Sequence, residues 1–408
     1  MKVSVQATKQ FFQNEVNITG SKSETNRLLL LQALYPHIQI ENISNSDDAA
    51  VMQKGLASTE ELVDIHHAGT AMRFLTAYFA VQEGKETLLT GSARMQERPV
   101  KVLVEALKNL GADISYDKNE GYPPLRISGK KLTNDKVTLP ADVSSQYISA
   151  LLLIASKLEN GLELTLEGKI TSIPYIQMTL ALLNEIGIGT KFENNTIKVF
   201  STKISEEPKT LVVESDWSSA SYYYSIIALS EVGSQIKISS YKENSLQGDS
   251  HLAILYQKMG VDTIFENNTA ILTKNSHEPT NISFDLTKTP DIAQTIAVTC
   301  FGLGIGCSLS GLHTLKIKET DRLEALKVEL TKFGADIRVT DKELFLEPSS
   351  IIRENIAIDT YNDHRMAMAF APLALKVPIL VNDAMVVSKS YPDFWEDLKK
   401  LAFEVKEL

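Results

Sequence analysis

The sequence has few cysteines and no long apolar run, and both absences exclude classes of protein. Cys300 and Cys307 are its two cysteines among 408 residues, too few for a disulfide framework or a four-cysteine zinc site, so we expect a reducing, cytoplasmic setting. The longest apolar stretch, 292–312, is interrupted by Gln294, Thr295 and several glycines. We therefore predict a buried helix and a strand there rather than a membrane span. The first ten residues lack the apolar core of a signal peptide.

Positive charge is also scarce. The 41 Lys and Arg residues against 51 Asp and Glu residues give a net charge of −10, which argues against nucleic acid or an anionic membrane as partners. No Cys or His pair has the spacing of a metal site, and the glycine-rich segment 302–306 lacks the context of a phosphate-binding motif. We expect no metal and no cofactor, and a bound anion would need a local group of cations.

What the chain does contain is a unit repeated four times at intervals of 76, 73 and 74 residues. In each copy an amphipathic helix ends at a glycine and is followed by two extended segments around a polar turn. The glycines are Gly111, Gly187, Gly260 and Gly334. They are predicted helix C-caps with a positive φ. Polar turns such as those at Asn194 and Asn267 predict β-hairpins.

A second pattern lies upstream of these helices: a polar loop, a strongly apolar helix and a short strand. It occurs six times, which predicts six βαβαββ units of which the first is abbreviated. The apolar helices are expected to be central, and the helices that end in glycine, with their charged faces, to lie outside. The predicted fold class is α/β (α+β), a two-lobed inside-out α/β barrel with three units per lobe and central helices surrounded by strands.

The last unit lacks room for its hairpin, because the helix predicted from Asp393 runs to Leu408. The N-terminal segments KVSVQ and NEVNI are the unclaimed strands. We therefore predict that 1–19 and 214–408 form lobe I, that 20–213 form lobe II, and that the active site lies in the cleft between them. Linkers rich in Pro or Ser are absent, which favours a hinge over a flexible tether.

Each central helix begins at a loop of hydroxyl, amide and cationic side chains, where free N–H groups and the helix dipole favour anions. The candidates are Lys22, Ser23, Arg27, Gly69, Thr70, Arg98, Ser144, Ser145, Gln146, Ser172, Tyr175, Asp291, Lys318, Glu319, Arg322, His364, Arg365 and Lys389. Taken singly, most are N-caps or solvated first turns. Seven Lys or Arg at equivalent places in a net-acidic chain predict a pocket for phosphate and carboxylate groups.

Two carboxylates, Asp291 and Glu319, stand among these cations. Near cations they are expected to stay ionised, so a role as general base or acid requires desolvation by substrate to raise the pKa. The alternative is purely structural, with both residues forming salt bridges to Lys318 or Arg322.

Several motifs together resemble one enzyme family along the whole chain. They are GSKSETNR at 20–27, HAGTAMR at 67–73, RMQERPV at 94–100, LQGD at 246–249, KETDR at 318–322, YNDHRMAMAF at 361–370 and SKSYPDF at 388–394. The chain resembles the 5-enolpyruvylshikimate-3-phosphate synthases. The resemblance implies transfer of the enolpyruvyl group of phosphoenolpyruvate to the 5-hydroxyl of shikimate 3-phosphate, with release of phosphate through a tetrahedral intermediate. It also implies that the protein acts in aromatic amino-acid (chorismate) biosynthesis and that it is a target of glyphosate.

The resemblance also assigns roles to residues. Shikimate 3-phosphate would be bound by Lys22, Ser23, Arg27, Ser144, Ser145, Gln146, Ser172, Tyr175, Asp291 and Lys318. Phosphoenolpyruvate would be bound by Lys22, Gly69, Arg98, Gln146, Arg322, Arg365 and Lys389. The implied catalytic residues are Asp291, Glu319, Lys22 and His364. Two positions depart from the family pattern: His67 stands where Asn is usual, and Phe74 where Pro or Ser is frequent.

Two other functions remain open from the sequence. One is transfer of enolpyruvyl to UDP-N-acetylglucosamine by the sister family, whose usual members carry a loop cysteine, whereas Cys300 and Cys307 are predicted core residues. The other is a non-catalytic protein that binds phosphorylated metabolites. RNA-end cyclases share the repeat but are disfavoured by the acidic balance. Without a heptad or an apolar surface stripe, we expect a monomer.

Overall fold

A computed structural model of the protein describes residues 1–142, 144–168, 170, 173–202, 205–278 and 280–408. Its strands in chain order are β1 Val3–Ala7, β2 Gln13–Val16, β3 Ile38–Glu41, β4 Leu62–Asp64, β5 Glu86–Thr90, β6 Asp113–Tyr116, β7 Leu125–Ser128, β8 Lys136–Pro140, β9 Leu162–Glu167, β10 Thr190–Glu193, β11 Thr196–Val199, β12 Lys209–Val212, β13 Gln235–Ser239, β14 Val261–Glu266, β15 Thr269–Lys274, β16 Ile282–Asp285, β17 Cys307–Ser310, β18 Ile337–Val339, β19 Leu344–Leu346, β20 Ile356–Ile358, β21 Ile379–Val381 and β22 Phe403–Glu407.

Helices alternate with these strands. They are α1 Lys22–Leu34, α2 Asp47–Ala57, α3 Gly69–Ala80, α4 Ala93–Gln96, α5 Lys101–Asn109, α6 Ser145–Ile154, α7 Ile173–Glu185, α8 Trp217–Leu229, α9 Leu252–Gln257, α10 Ala293–Leu303, α11 Arg322–Phe333, α12 His364–Phe370 and α13 Phe394–Lys400. Short 3₁₀ segments lie at Ala155–Lys157, Gly248–His251, Pro290–Ile292, His313–Ile317, Ala371–Leu375 and Ala384–Lys389. Among the residues described, no helix combines the length and apolarity that crossing a bilayer requires.

The chain divides into two compact units, each with its own hydrophobic core. Unit 1 consists of Met1–Gly20 and Glu214–Leu408, and unit 2 of Ser21–Val213. Gly20 belongs to unit 1 rather than unit 2, because its backbone forms an antiparallel bridge with Ser215. The boundary therefore lies one residue after the predicted one.

One sheet pattern recurs in both units. Unit 2 contains the strand orders β4-β5-β7-β6 and β8-β9-β11-β10, and unit 1 contains β2-β13-β15-β14, β16-β17-β19-β18 and β20-β21-β1-β22. In every case the first two strands are parallel and the last two form an antiparallel pair. In four of these five sheets a helical connection joins the two parallel strands, as a crossover requires. In the fifth, β2 and β13 are separated along the chain by the whole of unit 2. The abbreviated first unit is the parallel pair β12-β3. The predicted α/β class built from βαβαββ units is confirmed.

The C-terminal segment differs from the prediction. A helix from Asp393 to Leu408 is wrong, because α13 ends at Lys400 and β22 follows. Ala402 takes a φ of 61° and turns the chain, and the alternating sequence FEVKE suits a strand better than a helix. β22 pairs with β1, whereas β2 pairs with β13 in a different sheet. The two N-terminal strands thus complete two sheets of unit 1 rather than one.

The two classes of helix differ in burial as predicted. Every residue of α10 from Ala293 to Gly302 is buried, whereas α5 buries one face and exposes its charged residues. The glycines that follow the outer helices, Gly111, Gly187, Gly260 and Gly334, have φ values of 106°, 96°, 79° and 102°. A positive φ near the helix end favours glycine, and the predicted positive φ is confirmed at all four positions. Gly334 is the C-cap residue of α11, whereas Leu110 and Lys258 are the C-cap residues of α5 and α9 and their glycines follow. Both cysteines are buried, as predicted.

Candidate functional site

In unit 1, one carboxylate stands among three cations. The Oδ1 atom of Asp291 lies 2.7 Å from Nη1 of Arg322 and 3.3 Å from Nζ of Lys318, and its Oδ2 atom lies 3.5 Å from Nη2 of Arg365. Asp291 sits in the 3₁₀ turn that leads into α10. Although burial raises the pKa of Asp291, these three cations hold it well below its ordinary value. The cations therefore favour the ionised form of this carboxylate at neutral pH.

Helix caps explain how the two arginines reach this carboxylate. Asp321 caps α11 by accepting hydrogen bonds from the backbone N–H groups of Leu323 and Glu324, and Asp363 caps α12 by accepting one from Arg365. Aspartate is among the best N-cap residues. Arg322 is the first residue of α11 and Arg365 the second residue of α12, so both guanidinium groups project from a first turn.

Arg322 connects three carboxylates although only 2% of its side chain is exposed. Its Nε lies 2.6 Å from Asp363, its Nη1 2.7 Å from Asp291, and its Nη2 2.8 Å from Glu319. Burial alone would lower the pKa of Arg322, but Asp363, Glu319 and Asp291 raise it above its ordinary value. Asp291 and Glu319 thus make the salt bridges that the sequence left as an alternative, and these bridges leave both near the cations of the candidate site.

Three further residues belong to this cluster that were not predicted from the sequence: Ser218, Asp249 and Asp363. Asp363 is fully buried against Arg322. Ser218 donates a hydrogen bond to Asp249 and accepts one at 3.2 Å from Nη2 of Arg365. The motifs LQGD and YNDHR contain two of the three, but the sequence alone does not show that these segments meet.

Asp249 carries an unusual pKa for a carboxyl group. Burial and the nearby Asp291 raise its pKa to about 6, against the opposing effects of Arg365 and the Ser218 hydroxyl. The folded protein therefore holds this proton more tightly than the unfolded chain, and stability is highest below the ordinary pKa and falls as pH rises through 6.

Replacing Asp249 should remove this pH dependence. Between pH 4 and pH 7 the ionising carboxylate costs the wild type up to about 3 kcal/mol, at 1.36 kcal/mol per pKa unit, and Asp249→Asn should not show this loss. Denaturant unfolding of both proteins at pH 4.5, 6 and 7.5 measures it. The variant should gain stability relative to the wild type as the pH rises. A difference that stays constant over this range would contradict the prediction.

The other two candidates of unit 1 lie beside the arginine cluster. The His364 side chain is buried, and its Nδ1 is 3.9 Å from Oδ1 of Asp363. Lys389 donates a hydrogen bond of 2.6 Å to the carbonyl of Asn362. Both side chains therefore contact the segment that precedes α12.

In unit 2, Lys22 is the first residue of α1 and lies at the start of a short polar chain. Its Nζ is 3.3 Å from Oδ2 of Asp48, and Nε2 of His67 is 3.7 Å from Oδ1 of the same carboxylate. Nδ1 of His67 is 2.7 Å from Nδ1 of His66. His67, which stands where the family usually has Asn, thus lies near the same Asp48 carboxylate as Lys22, a residue predicted to bind substrate.

A second group in unit 2 brings Gly69, Thr70, Arg98 and Gln146 together. The amide of Gln146 donates to Oγ1 of Thr70 at 3.1 Å. A Cβ atom at Gly69 would lie 2.5 Å from Nη1 and 3.0 Å from Nη2 of Arg98. Glycine at 69 therefore allows the Arg98 guanidinium to lie against the start of α3.

Arg27 is more deeply buried than its prediction as a ligand suggests. It donates to Oγ1 of Thr179 at 2.8 Å, to Oγ of Ser149 at 2.9 Å and to the carbonyl of Ser23 at 2.7 Å. The ring of Tyr175 lies 5.9 Å from its Cζ. Burial lowers the pKa of Arg27 to about 10, so it remains charged at neutral pH. These bonds join α1, α6 and α7.

The remaining candidates form the start of α6. Ser144 caps this helix by accepting from the backbone N–H of Gln146 at 3.3 Å, and Ser145 follows it as the first helical residue. Both side chains keep some solvent exposure. Ser172 lies outside the described residues.

Comparisons with known proteins agree with one another. A sequence model of the family described as EPSP synthase (3-phosphoshikimate 1-carboxyvinyltransferase) matches residues 38–398. A Bacteroides fragilis protein and a Vibrio campbellii protein, both named 3-phosphoshikimate 1-carboxyvinyltransferase, are 43% and 36% identical over 96% of this chain and over 96% and 97% of their own lengths.

Solved structures show the same fold. The EPSP synthase of Acinetobacter baumannii superposes with a TM-score of 0.83 at 21% identity over 100% of both chains. The enolpyruvyl transferase NikO of Streptomyces tendae superposes with a TM-score of 0.71 at 14% identity, over 99% of this chain and 98% of its own.

Proposed function

Because the chain belongs to the EPSP synthase family, we propose that it transfers the 1-carboxyvinyl group of phosphoenolpyruvate to the 5-hydroxyl of shikimate 3-phosphate and releases phosphate. Relatives at 43% identity over nearly the whole chain support this reaction. The observation in the structure that carries the proposal is the Asp291 carboxylate, ionised among Lys318, Arg322 and Arg365 with Glu319 on the same arginine. This arrangement offers cations to anionic substrates and carboxylates to move protons.

The first step is addition. Asp291 accepts the proton of the 5-hydroxyl as that oxygen attacks C2 of phosphoenolpyruvate. Glu319, which takes up a proton when desolvation by bound substrate raises its pKa, donates that proton to the methylene carbon, which becomes a methyl group. Asp291 is a weak base while three cations surround it. Anionic groups of the substrates that neutralise Lys318 and Arg365 would remove this stabilisation and raise the pKa of Asp291 towards that of a working base.

The second step is elimination. The tetrahedral intermediate loses phosphate from C2 with the electron pair of the C2–O bond, and the Glu319 carboxylate, which gave up its proton in the first step, takes a proton from the methyl group. The double bond is restored and the product is the enol ether. Lys22, Lys389 and His364 assist the departing phosphate by charge and by proton donation. Fixed cations around a leaving phosphate stabilise charge where it accumulates in the transition state.

The binding roles follow the resemblance residue by residue. For shikimate 3-phosphate the proposal assigns Lys22, Ser23, Arg27, Ser144, Ser145, Gln146, Ser172, Tyr175, Asp291 and Lys318. For phosphoenolpyruvate it assigns Lys22, Gly69, Arg98, Gln146, Arg322, Arg365 and Lys389. The grouping of Gly69, Arg98 and Gln146 in unit 2 supports the second set. Because Arg27 is hydrogen-bonded inside the protein, its contribution to binding is to position Ser23 and Tyr175, both of which it contacts.

Phosphate release tests the function directly. The purified protein is mixed with phosphoenolpyruvate and either shikimate 3-phosphate, UDP-N-acetylglucosamine or no acceptor. Release with the first acceptor alone is the expected result. Release with the UDP-sugar would instead support the sister activity, and binding of both substrates without release would support a non-catalytic protein.

That the protein is monomeric and cytoplasmic and has no nucleic-acid partner stays a prediction.

A methyl group at position 69 should weaken the donor site. In Gly69→Ala the new Cβ displaces the Arg98 guanidinium, because the two would be 2.5 Å apart. We expect KM for phosphoenolpyruvate to rise about tenfold, which corresponds to about 1.4 kcal/mol, with KM for shikimate 3-phosphate changed little. Steady-state kinetics measure both. Gly189→Ala is the control, because a Cβ there meets a single ring atom of Phe200 at 3.2 Å. Equal donor KM values in both variants would refute this account of Gly69.

A further inference from the structure

The segment that joins β20 to α12 has an unfavourable backbone. Tyr361 and Asn362 are consecutive non-glycine residues with φ values of 54° and 55°. The left-handed region is unfavourable for a side chain as large as tyrosine. Such conformations persist where the surrounding structure fixes them, and they concentrate at functional sites. This turn lies immediately before His364 and Arg365 at the start of α12, so contacts from the surrounding structure must hold it.

Tyr361 is held by the neighbouring helix. Its hydroxyl donates a hydrogen bond of 2.6 Å to Oε1 of Glu329 in the middle of α11. Glu329 is fully buried, and its Oε2 accepts from the backbone N–H of Asp359 at 3.2 Å and lies 2.7 Å from Nζ of Lys332. One buried carboxylate thus binds the first residue, Asp359, and the middle residue, Tyr361, of the turn between β20 and α12.

The next two residues of the turn are held by other elements. The carbonyl of Asn362 accepts from Lys389 at 2.6 Å. Asp363 pairs with Arg322 at 2.6 Å and caps α12. At the far ends of the two helices, the rings of Phe333 and Phe370 stack with centroids 5.9 Å apart. Helices α11 and α12 are therefore fixed to each other at both ends.

We infer that the hydrogen bond between Tyr361 and Glu329 is a positioning element of the reaction, one that sets the first turn of α12 relative to α11. Through it, Arg365 is kept in register with Arg322 on the two sides of the Asp291 carboxylate. The inference rests on the proposed function, since Arg322 and Arg365 are the proposed ligands of phosphoenolpyruvate. Tyr361 itself acts through these arginines and is not a catalytic residue.

The chemistry of the pair suits a fixed tether. Burial and the hydrogen bond to Glu329 raise the pKa of Tyr361 above its ordinary value, so the hydroxyl keeps the proton that it donates at physiological pH. Small displacements of groups that orient a substrate can cost up to about a hundredfold in rate. If Arg322 and Arg365 lose their relative positions, the reaction with phosphoenolpyruvate should therefore be impaired more than the binding of shikimate 3-phosphate.

Tyr361→Phe removes the hydrogen bond and keeps the ring. We expect kcat/KM for phosphoenolpyruvate to fall about tenfold or more, with KM for shikimate 3-phosphate changed less than twofold. Tyr122→Phe is the matched control, because the Tyr122 and Tyr361 side chains are both 37% exposed. Assays well below the thermal midpoint of each variant separate this effect from a loss of folded protein.

Variants of the partner residue test the pair itself. Glu329→Leu should lower donor kcat/KM at least as much as Tyr361→Phe, because it also removes the contacts to Asp359 and Lys332. The double variant should be no worse than Glu329→Leu alone, because that single change already removes the bond to Tyr361. Glu329→Gln should retain most activity, since its carbonyl can accept from Asp359 and its amide can donate to the Tyr361 hydroxyl. A hydrophobic side chain that merely filled the space would not reproduce this rescue.

The outcomes separate the inference from the proposed function. If the wild type releases no phosphate, the proposed function fails. Hydrogen exchange then tests whether the bond between Tyr361 and Glu329 holds the turn: amide protection across 359–366 should fall in Tyr361→Phe and not in Tyr122→Phe. If the wild type is active and Tyr361→Phe matches it in donor kinetics, the inference is overturned whatever the exchange shows. Strict additivity in the double variant would overturn it as well.

Discussion

Asp291→Asn is expected to reduce turnover about a thousandfold or more while the protein stays folded and still binds shikimate 3-phosphate. The amide cannot accept the hydroxyl proton, and proton transfer by a positioned side chain contributes roughly 10²–10⁴-fold to rates. The fold should survive because Arg322 keeps its bonds to Asp363 and Glu319. Phosphate release under saturating substrates measures kcat, and calorimetric titration measures acceptor binding.

Asp341→Asn provides the control for this experiment. Asp341 is 89% exposed and pairs with Lys316 on the surface of unit 1, so its variant should match the wild type in both measurements. A turnover of Asp291→Asn within threefold of the wild type would remove Asp291 from the mechanism. Loss of acceptor binding together with turnover would show that Asp291 acts through binding of the acceptor rather than through proton transfer.

Arg322→Met should be the most destabilising of the substitutions considered. The variant leaves Asp363 buried without its ion pair, and Asp291 and Glu319 each lose a bond. Breaking a buried pair by removing one partner costs about 3–5 kcal/mol, because the remaining charge is uncompensated. Denaturant unfolding followed by circular dichroism measures the loss, and turnover should be lost as well.

Lys327→Met, on the same helix, separates this effect from the loss of any cation. Lys327 is 42% exposed and pairs with Glu324 one turn away, and surface pairs of this kind contribute about 0–1 kcal/mol. The control should therefore unfold close to the wild type. If Arg322→Met lost less than about 1 kcal/mol, the cluster would not depend on the arginine for its stability.

The repeat pattern predicted the fold well because its signals are local. A glycine such as Gly187 or Gly334 ends a helix whatever surrounds it, since a positive φ is a property of one residue. Alternation predicted strands such as β14 and β15 for the same reason. The helix predicted to reach Leu408 failed because the apolar pattern of α13 runs into FEVKE without a glycine to mark the end, and Ala402 makes the turn instead.

The candidate site was predictable in its members and not in its contacts. The cations at helix starts follow from the loops that contain them, and Asp291, Lys318, Glu319, Arg322 and Arg365 do lie together in unit 1. Their substrate roles stay predictions. Asp249 and Asp363 lie in the motifs LQGD and YNDHR, but they and Ser218 were not singled out, because a lone Asp or Ser near a helix start is usually a cap and the sequence does not show which distant segments meet.

The sequence by itself determined the helices, the hairpins, the sixfold repetition and the residue types that begin each central helix, because these depend on periodicity and on backbone preferences a few residues long. The tertiary structure alone decided which charges meet. Arg322 and Asp363 are 41 positions apart, and Gly69 matters because Arg98 lies against it. Proximity of this kind arises from packing of distant segments, and it sets the pKa values of Asp249 and Asp291 in opposite directions. Identical aspartates therefore acquire different chemistry from their surroundings.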